Sequence, residues 1–127
     1  MDKELLEKIL ALSENRIKFL RTSDGDWFYE WSQTFYEAIL DEMHEVKAEM
    51  NTWKRVLLED ELGDVFWDYI CFLESLEQEW KIIKEKVYER AWTKFSERLN
   101  PDGSSSWNWQ STKKIQKEKL LKEQENF

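Results

Sequence analysis

Scarcity of chain breakers is what most limits the folds open to this chain. Its 127 residues contain 3 Gly and 1 Pro, and the proline, Pro101, stands near the C-terminal end. Tight reversals and left-handed backbone lean on Gly and Pro, so the long stretches between them are predicted to be helical. With 41% hydrophobic and 15% aromatic residues, the chain is too apolar to stay disordered. The predicted architecture is all-α, a four- to five-helix bundle around a central antiparallel helical hairpin.

Periodicity places the helices. From Lys3 to Arg21, Leu5, Ile9, Leu12 and Phe19 recur on one side of a helix. Thr22-Ser23-Asp24-Gly25-Asp26 interrupts the pattern. A second helix is predicted from about Trp27 to Met50 and a third from about Lys54 to Glu79, with Thr52 as N-cap in the turn between them. A fourth helix, drawn as following or continuing the third, runs to about Leu99. Asn100-Pro101-Asp102-Gly103-Ser104-Ser105-Ser106 ends it, and Gln110 to Glu125 reads as a Lys/Glu-rich fifth helix. The chain thus divides into a helical body, residues 1–99, and a loop with a C-terminal helix, residues 100–127, that docks on the body or a partner or frays.

Charge and cysteine content narrow the function classes. A net charge of −8 repels phosphate backbones and argues against nucleic acid as a direct partner. An anionic small ligand would need a cation as intermediary. The single cysteine, Cys71, has no internal disulfide partner. No segment approaches the roughly 18 uninterrupted apolar residues of a membrane span. The N-terminus is a mixed-charge amphipathic pattern rather than a basic, then apolar, leader. The expectation is a soluble cytoplasmic protein without a membrane partner.

Acidic pairs three apart carry little weight by themselves among 27 acidic residues. Their position on the helices is more informative. At about 100° per residue, Phe35, Ile39, Met43, Val46 and Met50 form an apolar stripe on the second helix, and Glu42, Glu45 and Glu49 follow its edge. On the third helix the stripe is Leu58, Val65, Tyr69, Phe72 and Leu76, edged in the same rotational sense by Glu61, Asp64 and Asp68. A hairpin puts both rows on one edge of the pair. Heights match as well: Glu45 and Glu61 each lie eight residues from Trp53 (53 − 45 = 61 − 53), and Glu42 and Asp64 each lie eleven away. Four carboxylates meeting at two adjacent levels repel one another unless a cation joins them. Oxygen-only ligands suit a hard divalent ion such as Mg²⁺, which keeps waters and shares its shell with phosphates. The plainer alternative is two solvated helix edges.

The wording of the two segments adds a resemblance. Leu40-Asp41-Glu42-Met43-His44-Glu45-Val46, then Glu59-Asp60-Glu61-Leu62-Gly63-Asp64-Val65-Phe66-Trp67-Asp68, resembles MazG-type nucleoside triphosphate pyrophosphohydrolases, an all-α family related to dimeric dUTPases and phosphoribosyl-ATP pyrophosphohydrolases. Its signature is E-x-x-E, a spacer, then E-x-x-D, often ELGD. The resemblance covers about residues 27 to 98. It implies Glu42, Glu45, Glu61 and Asp64 as Mg²⁺ ligands, with Mn²⁺ as substitute; a carboxylate that the metal does not fully engage, Glu45 or Glu61, is the candidate general base. It implies hydrolysis of an NTP or dNTP to the monophosphate and pyrophosphate, in a homodimer or a tetramer of two dimers. A family K-x-x-x-R element matches Lys86 and Arg90, one helical turn apart, as phosphate-binding residues; pairing with nearby Glu residues is the alternative for both. The R-H-P-H-V-F ending of some members is absent, and Ala91-Trp92-Thr93-Lys94-Phe95 stands there instead.

Other residues fill supporting parts. Asp68, one turn beyond Asp64, could orient a ligand water or a second ion. Trp31 is placed on the carboxylate side of the second helix, where it could stack on a nucleobase; the plainer assignment is packing in the core or a subunit interface. Trp67, Trp80 and Trp92 are assigned to packing, Trp107 and Trp109 to anchoring the tail, and His44 to the exposed surface. Gly63 costs its helix about 1 kcal/mol relative to Ala and would permit a close helix approach. Two further function classes stay open: a relative preferring dUTP or phosphoribosyl-ATP, and a non-enzymatic helical interaction module.

Overall fold

A computed structural model describes residues 2–127. Five helices follow one another: α1 Lys3–Leu20, α2 Ser32–Glu49, α3 Arg55–Gln78, α4 Lys84–Arg98 and α5 Trp109–Glu125. No strand forms among the described residues; one isolated bridge joins Leu99 and Ser105. The helical chain has two compact units, one ending at Ile83 and the other Lys84–Phe127. That boundary lies before α4, whereas the sequence reading draws its division after it, at 99/100.

In the first unit α3 is the central element, packed by α2 along one side and α1 along another. Ile17 and Leu20 from α1, Phe35 from α2 and Cys71 from α3 make the core, with Tyr29, Trp67 and Phe72 packed against it. Ile17 and Cys71 are fully buried. Burial pushes the Cys71 thiol up to about 12, with the charge of Asp68 adding to the rise, so it stays an inert thiol at neutral pH. α1 starts where Asp2 accepts the N–H of Glu4, and Arg21, after its last turn, donates to the Gln78 carbonyl at 2.8 Å, tying it to the end of α3. Gly25 is required in the loop that follows, because a Cβ there would run into the carbonyl of Leu20.

α2 begins at Ser32, five residues later than the sequence suggests (32 − 27), and the cause is remote in sequence. The Glu79 carboxylate, at the end of α3, accepts the Ser32 N–H at 2.7 Å and the Ser32 hydroxyl at 2.9 Å. It acts as an N-cap borrowed from another helix, satisfying an otherwise orphaned donor. Burial works against the charge of Glu79, but Lys81 and the two Ser32 hydrogen bonds outweigh it and hold its pKa below the usual range. The Tyr29 hydroxyl meets Ser75 at 3.2 Å, so the chain entering α2 is pinned to α3 as well.

The α2–α3 hairpin forms as expected, but the details of its ends differ. Lys54 is the N-cap of α3, with no side-chain cap; Thr52 instead accepts the Lys54 N–H at 3.2 Å and donates to the Glu49 carbonyl at 3.0 Å, closing the turn. α3 and α4 are separate helices. Trp80 has φ 65 and its N–H reaches the Glu77 carbonyl at 2.9 Å, while the Lys81 N–H reaches Leu76 at 3.0 Å. This double bond pattern ends a helix and usually has Gly where Trp80 stands.

Several residues expected in the core are exposed. Met43, Met50 and Tyr69 belong to the predicted stripes yet are 48%, 59% and 46% exposed. α2 buries Phe35 and Val46 and half-buries Ile39, while Tyr36, Leu40, Met43 and Met50, at helical spacing on another side, are exposed, Tyr36 with its ring against Phe72. Trp80 and Trp92, assigned to packing, are also exposed. The second unit pairs α4 with α5, and neither helix has a buried residue. Arg98 stands over the rings of Phe95 and Trp109 and donates to Gln116 at 2.8 Å; Gln116 in turn donates to the Lys94 carbonyl. Trp109 thus anchors the fifth helix, whereas Trp107 is exposed.

Candidate metal centre

The hairpin carries its acidic residues in the register the sequence suggests. Glu42 and Glu45, one turn apart on α2, meet Glu61 of α3, and one oxygen from each lies within 4.8 Å of the others. On the α3 side, one oxygen from each of Asp60, Glu61 and Asp64 likewise lies within 4.8 Å of the others. Glu61 is therefore shared by two overlapping groups. Glu42 and Glu61 are half-buried between the helices, while Glu45, Asp60 and Asp64 are exposed.

Asp60 takes no part in the sequence reading of the site. Its signal is the i, i+4 spacing to Asp64, which places both on one helical face. Asp68 is half-buried one turn beyond Asp64, within electrostatic reach of Asp64 and Glu42.

Crowding is visible in the proton affinities. Hydrogen bonding to the Glu45 carboxyl, then burial, then the proximity of Glu42, push Glu61 up to about 7. Burial raises Glu42, the negative charges of Glu45 and Asp64 add to the rise, and a hydrogen bond with Glu61 offsets part of it. Asp68 is raised to about 6 by burial and by the charges of Glu42 and Asp64. Each shift has the sign expected of carboxylates sharing a site.

Two oxygens decide whether these residues suit a cation. Oε2 of Glu42 and Oε2 of Glu61 are both shielded from solvent, and neither has a hydrogen-bond partner. A buried carboxylate oxygen left unpaired is costly, and native structures rarely tolerate it without an ion or water. Ligands of one octahedral Mg²⁺ lie about 3 to 4 Å apart, given metal–oxygen distances near 2.1 Å. An all-oxygen group within 4.8 Å fits a hard divalent cation with modest adjustment. Glu42, Glu45 and Glu61 would hold it, with Asp64 reached through Glu61.

The remaining candidates fall elsewhere. Trp31 precedes α2 instead of lying on its carboxylate-bearing side, because Glu79 starts the helix one residue later. It has φ 59, its ring stands 4.9 Å from the Arg21 guanidinium, and it contacts Tyr29. His44 is exposed, as expected. A Cβ on Gly63 would meet nothing within 4 Å, so α1 and α2, which pack on α3, make no use of its small size. Lys86 and Arg90 lie on α4, in the second unit. Lys86 pairs with Glu89 at 3.0 Å, and Arg90 forks onto Glu123 through bonds of 2.9 and 3.2 Å.

Comparison with known proteins agrees with the signature on the hairpin. No curated protein and no solved structure matches the chain. The family model for the MazG nucleotide pyrophosphohydrolase domain matches residues 31–101, a span that includes α2, α3 and α4 and exceeds half the chain. The chain belongs to the MazG nucleotide pyrophosphohydrolase domain family.

Proposed function

We propose that this protein hydrolyses a nucleoside or deoxynucleoside triphosphate, modified nucleotides included, to the monophosphate and pyrophosphate with Mg²⁺ as cofactor and Mn²⁺ as a substitute. The observation that carries the reading is the convergence of Glu42, Glu45 and Glu61 within 4.8 Å, with orphaned oxygens on two of them. Glu42, Glu45, Glu61 and Asp64 are the proposed ligands. A divalent ion held there supplies charge against the phosphates and lowers the pKa of an attacking water. Glu45 and Glu61 are the candidates for taking that water's proton, whichever of them the metal leaves incompletely engaged. Asp68, half-buried beside them, would orient a ligand water. Lys86 and Arg90 would hold phosphate oxygens, a role resting on the match to the family's basic element.

We further assign the working form as a homodimer or a tetramer of dimers. Tyr36, Leu40, Met43 and Met50 recur at helical spacing along one exposed side of α2. Exposed apolar side chains in this arrangement support a subunit contact.

The test is a nucleotide panel in which pyrophosphate and orthophosphate release are measured separately, which also distinguishes dUTP and phosphoribosyl-ATP specialists. Glu61→Gln and Asp64→Asn should abolish turnover with helical content unchanged. Full activity in either variant overturns the assignment. A non-enzymatic module would show no thermal stabilisation by Mg²⁺ with nucleotide.

A further inference from the structure

The second unit contains an element that the family match leaves out. Matching ends at residue 101, and α5 begins at Trp109. α5 nevertheless lies along the side of α4 that carries Lys86 and Arg90, and the two helices line a groove of about 340 Å³ that contains both residues and Glu123. The Glu123 carboxylate engages Arg90 with both oxygens, Oε1 on Nη2 at 2.9 Å and Oε2 on Nη1 at 3.2 Å. A guanidinium offers this same two-pronged face to a carboxylate or to a phosphate. Glu123 therefore occupies the donor pair that a phosphate group would use.

We infer that the C-terminal turns of α5 are an autoinhibitory strap, in which Glu123 holds Arg90 in place of a phosphate and is displaced by a polyphosphate chain. The inference rests on the proposed phosphate role of Arg90. Three features make the strap releasable. Neither α4 nor α5 has a buried residue, so no packed core locks the pair. Arg90 and Glu123 are 46% and 53% exposed in their side chains, which makes the pair a surface contact that a more highly charged anion outcompetes. The other contacts of α5 lie in its first half, where Gln116 bonds Arg98 and the Lys94 carbonyl and Trp109 sits under Arg98. On this inference the segment after Gln116 lifts, withdrawing the half-buried Leu120 from the groove, while the first half stays anchored.

The experiment uses the full chain and inorganic tripolyphosphate, with amide hydrogen exchange read over residues 119–126. Tripolyphosphate should speed exchange there in the parent protein and leave Glu123→Gln, already fast, unchanged. With a nucleotide the parent hydrolyses, Glu123→Gln should lower KM by up to about fivefold at constant kcat, the range open to an exposed ion pair. If the parent turns over no nucleotide while tripolyphosphate still releases α5, the hydrolase reading and the inhibitory role fall, and the displacement of Glu123 from Arg90 by a polyphosphate stands. Exchange that tripolyphosphate does not move overturns the strap, whatever the activity. So does an unchanged KM in Glu123→Gln when the parent is active.

Discussion

Protons and the metal ion should compete for the same carboxylates, and Glu61 sets the scale of that competition. Its carboxyl is held at about 7 by Glu45, by burial and by Glu42. A ligand must be deprotonated to bind a cation. Below pH 7 a single competing proton weakens apparent metal affinity about tenfold per pH unit, so binding at pH 5.5 should be roughly thirtyfold weaker than above pH 7.5. The metal-free protein should show the opposite trend. A carboxyl whose folded pKa is raised binds more protons folded than unfolded, so its stabilising effect is complete below the unfolded value and is lost as pH rises through about 7. Mn²⁺ titrated at several pH values, with the unbound ion followed by electron paramagnetic resonance, measures the first effect. Thermal melts in chelator measure the second. Glu61→Gln should bind Mn²⁺ weakly and abolish most of both dependences. An affinity constant within threefold from pH 5.5 to 7.5, or a chelated protein that gains stability across that window, would refute the shared-site reasoning.

Three further outcomes test the frame. Ile17 is fully buried against Leu20, Phe35 and Cys71, so Ile17→Ala should cost about 2 to 5 kcal/mol in urea unfolding; a loss under 1 kcal/mol would mean that α1 is not part of the cooperative core. Gly63 stands in open space, and Gly63→Ala should raise stability by about 1 kcal/mol. A drop in stability or in self-association would instead place a partner's backbone against that residue. Glu79→Gln should cost about 1 kcal/mol at neutral pH by weakening the cap on Ser32. Because the Glu79 pKa is lowered, the difference should fade as pH falls through and below the ordinary carboxylate range, which an acid titration of both proteins would show.

Local patterns were readable where local forces decide. α1, α3 and α5 lie within a residue or two of their predicted limits, since breaker-poor, periodic stretches leave few alternatives. The meeting of Glu42, Glu45 and Glu61 was readable for a related reason: helical angle and equal distance from a turn fix two side chains relative to each other. Features that depend on distant residues were not readable. Ser32 begins α2 because of a carboxylate 47 residues away (79 − 32). Nothing near Trp80 announces a left-handed cap, as no Gly is present there. Met43 and Tyr69 look like core residues, because apolar periodicity marks a face to be covered without saying what covers it. Arg90 could be assigned to phosphate or to a nearby Glu, but the carboxylate that it meets in the structure, Glu123, lies 33 residues on.

The borrowed cap at Ser32 also bears on how the acidic edge behaves mechanically. Two helices carrying facing negative charge would ordinarily relieve it by splaying apart. Here the pair is fastened at one end by Glu79 and Tyr29 holding the entry to α2, and at the other by the turn that Thr52 closes. Glu42, Glu45 and Glu61 lie between the fastenings, like rungs in a ladder whose rails are fixed at top and bottom. Repulsion among them cannot be dissipated by opening the frame, so it is left to a proton or a cation. Much of the reorganisation that a looser site would need on binding is thereby completed during folding.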